Sequence, residues 1–219
     1  MKTIFAQLDL KPWDALIADA EERSDSQIVL AVIKRSDGYA ELPWKAFALG
    51  AALAGLSAAL LNRLLFDWVS PITGHIAVLV TLGGGALCAL LSILMPAFAR
   101  CFLSKHRARV EVRQYAEGLF LHRALYDTPT RNGVLLLVSL FERRVTIIPD
   151  KGLQNRLNRK VILTIIAAMT SALKHHDLNG ALETGLKSLA DALSTTRRES
   201  PTPSGQPGLA NDLIVEKGL

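Results

Sequence analysis

Two long apolar runs joined by a short connector restrict this chain's fold more than any other feature. Ala46–Leu61 carries no charged residue and continues through Asn62 and Arg63 to Leu64, Leu65 and Phe66. As a helix, Ala46–Phe66 is about 30 Å long, the thickness of a hydrocarbon core. The second run, Ile72–Ala99, has no Asp, Glu, Lys or Arg, and His75 sits at its edge. The pattern predicts a transmembrane hairpin over 43–99, with spans of about 45–66 and 72–99. Trp44 and Trp68 bracket the first span as interfacial aromatics would, and Arg63 can snorkel to headgroups. A buried helical hairpin in a soluble protein is the competing reading, but buried helices rarely stay this apolar for this long.

Charge orients the hairpin. The connector Asp67–Gly74, with its turn-forming Ser70-Pro71 and Thr73-Gly74, has only Arg63 at its edge. The flanks carry Lys34, Arg35, Lys45, Arg100, Lys105, Arg107, Arg109 and Arg113. Positive residues stay on the cytoplasmic side, so both termini are expected there, with Arg100, Lys105 and Arg107 at the membrane interface. The formal net charge of +5 therefore points to a lipid bilayer, with membrane or cytoplasmic proteins as further partners. There is no basic–aromatic nucleic-acid motif. Cys88 and Cys101 make no disulfide framework, and Met1–Lys11 does not read as a cleaved signal. Gly83-Gly84-Gly85 lies inside the second run and lacks a P-loop lysine, so it predicts close helix–helix contact. Met95-Pro96 predicts a kink or helix end.

The hairpin interrupts a domain. Upstream, Trp13, Leu16, Ile17 and Ala20 fall at helical spacing, and Gln27–Ile33 reads as a buried strand closed by Asp37-Gly38. Downstream, Val112, Tyr115, Ala116, Leu119 and Phe120 trace a helix. Val134–Leu140 and Arg144–Ile148 follow as strands joined by a reversal at Phe141-Glu142-Arg143. Leu157, Val161, Ile165, Ala168, Met169 and Ala172 trace one helix face, and Leu178, Leu182, Leu186, Leu189 and Leu193 another. One strand cannot fold alone, and two strands with three helices lack a core without it. The economical fold is α/β, a compact α/β/α sandwich with a small mixed sheet, interrupted after its first strand by the hairpin. Its two parts are 1–42 and 100–194, and 195–219 is expected to be a disordered tail. Closing one sheet across the hairpin holds the domain near the membrane surface.

Several segments resemble the TPM domain family, named for a thylakoid lumen protein, a photosystem II repair protein and a nematode receptor modulator. They are Ser26–Val32, Tyr115–Phe120, Arg131–Ser139, Glu142–Val145 and Asp150–Leu153. The resemblance covers about residues 12–193. It is closest to a bacterial branch with spans inserted after the first strand, where Arg-Ser-Asp-x-Tyr recurs, here Arg35–Tyr39. It implies an α/β/α sandwich and a bacterial inner-membrane location. Some members are described as acid phosphatases and some bind calcium, so calcium is the cofactor the resemblance implies.

No residue set is assigned a catalytic role. Asp37 and Asp150, each after a strand, form a conceivable calcium pair, although calcium takes six to eight oxygens. Arg131-Asn132-Gly133 reads as a turn, because Asn and Gly tolerate positive φ. Glu142-Arg143-Arg144 offers an arginine pair for a phosphate or headgroup, against the plainer reading of local charge pairing at a solvated turn. His175-His176-Asp177 reads as a helix cap, and Asp127 with Glu142 is a carboxylate pair only if the fold joins them. The preferred function is a membrane-tethered interaction or assembly-modulating module. The alternative is a metal-assisted phosphatase using calcium or magnesium.

Overall fold

The computed structural model describes residues 13–65, 71–175, 177–194 and 214–216. The chain forms two compact units, Met1–Ser36 with Arg109–Leu219, and Asp37–Ala108.

The first unit is built on a four-stranded mixed sheet. Helix α1 (Trp13–Ser24) leads into β1 (Gln27–Ile33). The later elements are α5 (Lys105–His122, in this unit from Arg109 onward), β2 (Gly133–Ser139), β3 (Arg144–Pro149), α6 (Arg159–Lys174), α7 (Leu178–Ser194) and β4 (Ile214–Glu216). Strand order is β3-β2-β1-β4. β1 and β2 pair in parallel from Gln27↔Gly133 to Ile33↔Ser139, and β2 and β3 pair antiparallel from Val134↔Pro149 to Ser139↔Arg144. The upstream strand thus lies beside the first downstream strand, at the centre of one sheet.

Alternation divides the two central strands between two cores. Ile28, Leu30, Val32, Val134, Leu136 and Val138 face a cluster with Trp13 and Ile17 of α1, Ile165 and Met169 of α6, and Leu182, Leu186 and Leu189 of α7. Val29, Ala31, Ile33, Leu135 and Leu137 face the other way, onto Val112, Ala116, Leu119 and Phe120 of α5. Burial on both faces explains the continuous apolar runs of β1 and β2. Each fully buried Leu or Ile contributes about 1.5–3 kcal/mol from apolar transfer.

Two expectations are corrected in this unit. Ala168 is exposed, because α6 buries only the narrow stripe through Ile165 and Met169. The tail is not wholly unstructured, since Ile214–Glu216 forms β4 on the free edge of β1. Residues 195–213 and 217–219 of the tail lie outside the described residues.

The second unit contains α2 (Glu41–Leu65), α3 (Pro71–Leu94) and the short α4 (Pro96–Ala99). Met95 is extended and Pro96 starts α4, so the proline ends α3 as its missing N–H requires. α2 and α3 meet through small residues. A Cβ on Gly50 would lie 2.6 Å from the Gly84 carbonyl oxygen, and one on Gly84 would lie 2.6 Å from Ala54 Cβ. Gly85 faces the Phe47 ring, whereas Gly83 meets nothing within 4 Å, so only two of the three glycines serve the contact. Gly84→Leu is expected to part the helices and speed maleimide labelling of Cys88, whose side chain packs on Gly50.

Two helices, Glu41–Leu64 and Gly74–Leu94, are long and apolar enough to cross a membrane. Only 11% of the most apolar window of each is buried, so neither is a core helix of this fold. Leu53, Leu56, Leu60, Leu64, Leu79, Leu87 and Ile93 are all more than half exposed.

Candidate functional site

The motif residues of the first unit collect at opposite ends of the sheet. At the carboxyl end of the parallel pair, β1 runs on beside the β2–β3 turn, with Leu140 N–H donating to the Ile33 carbonyl and Phe141 N–H to that of Lys34, both at 3.0 Å. This extension brings Ser36 over the turn. Glu142 Oε1 accepts from Ser36 N–H at 2.9 Å and from Ser36 Oγ at 2.6 Å, and Oε2 accepts from Ser139 Oγ. All three residues are buried. The carboxylate therefore collects three donors, two of them from across 106 residues of sequence. This overturns the reading of Glu142 as a solvated turn residue. Arg143 is exposed with φ of 53°, which places the sharp part of the reversal there. The Arg35 guanidinium lies 5.8 Å from the Phe141 ring centroid.

At the amino end, Arg131-Asn132-Gly133 ties three loops together. The positive φ belongs to Arg131, at 52°, and not to Asn132 or Gly133 as expected. Asn132 Nδ2 donates to the Asp25 carbonyl at 2.8 Å, and Gln27 N–H donates to the Asn132 carbonyl at 3.2 Å. On the other side, Gly152 N–H donates to the Arg131 carbonyl and Asp150 N–H to that of Gly133. Gly133 is needed for close approach. α5 ends in a left-handed turn at Ala124, φ 51°, with Leu125 N–H bonding back to the Phe120 carbonyl. That turn presses the Leu125 carbonyl oxygen where a Gly133 Cβ would sit, far inside van der Waals distance.

Asp150 is buried and caps the following turn by accepting from Lys151 N–H at 2.7 Å. Its Oδ2 faces Arg131 Nη1 at 3.7 Å. Asp37 belongs to the other unit, where it accepts from Gly38 N–H at 2.6 Å and pairs with Arg107 at 3.3 Å. Arg107 also approaches Glu41 at 3.1 Å. Calcium takes six to eight oxygens, more than one Asp supplies. Among the described residues, no three His, Cys, Asp or Glu side chains lie together as metal ligands would. Asp127 is exposed in the loop before β2, so it does not join Glu142 at the far end of that strand.

The remaining sequence candidates have structural places. Asp177 accepts from Gly180 N–H at 2.8 Å and caps α7. Asp177→Ala is expected to lower stability by about 1 kcal/mol, read from a denaturant midpoint. His175 ends α6, and His176 lies outside the described residues. Trp44 is 73% exposed with Phe47 edge-on at 6.4 Å, Lys105 is exposed and Arg100 half-buried, while Trp68 lies outside the described residues. Sequence reasoning gave no structural role to Ser36, Ser139 or Arg156. The signal for Ser139 was a hydroxyl closing an otherwise apolar buried strand. Arg156 donates to the carbonyls of Ser24 and Leu193, at the C-terminal ends of α1 and α7, where a cation complements the helix dipoles.

No curated protein matches this chain. Among solved structures, the NMR structure of the BA42 protein from the psychrophilic bacterium Bizionia argentinensis is similar, with a TM-score of 0.50 at 14% identity. The match covers 93% of this chain and 89% of that one. At that identity the likeness concerns the fold alone. The model of the TPM domain matches residues 104–192, which hold α5, β2, β3, α6 and all but the end of α7. The chain therefore contains a TPM domain region, whose sheet takes its second central strand, β1, from before residue 37.

Proposed function

We propose that the protein is a membrane-tethered TPM module of the bacterial inner membrane whose α/β unit acts by binding other proteins. The observation that carries the tether is the exposed apolar surface of α2 and α3. A patch of that size needs lipid or a partner to cover it. The basic flanks then favour a cytoplasmic location for both termini. This is the architecture of the branch with two inserted spans. A reporter fused after residue 219 should be active in its cytoplasmic form, and activity only in a periplasmic form would reverse the orientation.

The binding role rests on how the motif residues are engaged. Glu142 accepts through both oxygens inside the fold, while Asp150 caps a turn through one oxygen and turns the other, buried, towards Arg131. The family resemblance keeps a calcium- or magnesium-assisted phosphatase as the second reading. Purified protein with p-nitrophenyl phosphate and either cation is expected to give background turnover. Robust turnover lost in Asp150→Asn would favour the enzyme.

A further inference from the structure

The outer edge of β1 is filled by three residues from the far end of the chain. β4 pairs in parallel with β1, Ala31↔Ile214, Val32↔Val215 and Ile33↔Glu216. Ile214 packs against the cluster that α5 covers, while Val215 is 42% exposed. The β1 residues beneath are fully buried. The strand is short beside the usual five or six residues, and one described side chain anchors it to the core. Nineteen residues, 195–213, separate it from the end of α7.

That separation matters. Nineteen residues can reach at most about 60 Å, more than the width of a domain whose radius of gyration is about 13 Å. The same strand can therefore reach its own sheet or a neighbouring one. An unfilled β1 edge would present unpaired backbone groups beside apolar side chains, a template for another strand. Every copy of the chain carries both the acceptor edge and the donor strand, the condition for reciprocal exchange.

We propose that the β1 edge is a strand-acceptor site and that the strand Ile214–Glu216 is its displaceable occupant, exchanged between two copies of this chain. Recognition comes from parallel main-chain pairing, with one apolar residue at the Ile214 position as the selective contact.

The test uses the full chain in detergent micelles, with a fluorescent peptide of residues 210–219 as probe. Ile214→Asp disables the chain's own strand, and this variant is expected to bind the peptide saturably. The unaltered chain should bind about tenfold more weakly or less, because its tethered strand competes at high effective concentration. The peptide bearing Ile214→Asp should not bind. Differently tagged unaltered chains should co-purify, whereas two Ile214→Asp chains should not. Hydrogen exchange at Leu135–Leu137 reports whether the sheet persists. If it does not, replacing residues 211–216 with Gly and Ser supplies the second variant. A protected sheet that fails to bind the peptide overturns the acceptor site. Equal co-purification of the two pairs overturns exchange between copies.

Discussion

Glu142→Ala is expected to lower the unfolding free energy of the α/β unit by about 3 kcal/mol, enough to remove much of a small domain's stability. The variant removes one side chain that accepts from three buried donors, Ser36 N–H, Ser36 Oγ and Ser139 Oγ. Loss of a shared buried acceptor carries most of the effect. The effect should concentrate where β1 leaves the sheet. Hydrogen exchange should therefore accelerate at Leu140 and Phe141, whose amides bond to the extension of β1, before the centre of β2 is affected. Ser36→Ala removes only one of the two donors on that residue, and about 1 kcal/mol is expected. Equal stability of Glu142→Ala and the unaltered chain in urea would show that the carboxylate is not the fastener described here.

Gly133→Ala should be at least as damaging, at about 3 kcal/mol or more. The added methyl meets the Leu125 carbonyl oxygen, and that oxygen cannot retreat easily. It belongs to the left-handed turn that ends α5, and Gly133 is held on its other side by the Asp150 amide. Gly118→Ala is the matched control. It lies in the interior of α5 with nothing within 4 Å of the added carbon. There the substitution should stabilise by about 0.5–1 kcal/mol through helix propensity. Opposite signs from one chemical change at two glycines would isolate the effect of close approach.

These two residues also mark how far the sequence could be read. The strands were legible because β1 and β2 are buried on both faces, so apolar character runs unbroken through Gln27–Ile33 and Val134–Val138. The need for one sheet followed from counting elements on either side of the hairpin. Glu142 was misread because its partners come from Ser36, and no local pattern records a contact across 106 residues. The positive φ assigned to Asn132 and Gly133 falls on Arg131 because the surrounding hydrogen bonds, and not the residue's own preference, fix that backbone. β4 was missed for a similar reason. Its pairing depends on an open edge of β1 rather than on its composition. Asp37 and Asp150 looked alike because each follows a strand, yet each has a separate neighbouring arginine, Arg107 and Arg131.

Function follows from how one chain combines these parts. Two apolar helices interrupt the route from β1 to β2, and the sheet forms only when both flanks return to the same place. A hairpin embedded in lipid, as proposed, would satisfy that condition and would cover the apolar surface that α2 and α3 leave exposed. The most direct measurement is the partition of the full chain when membranes from expressing cells are washed with alkaline carbonate. The full chain should stay in the membrane pellet, and a chain with residues 43–99 replaced by a Gly/Ser linker should move to the supernatant. Release of the full chain into the supernatant would contradict the tether.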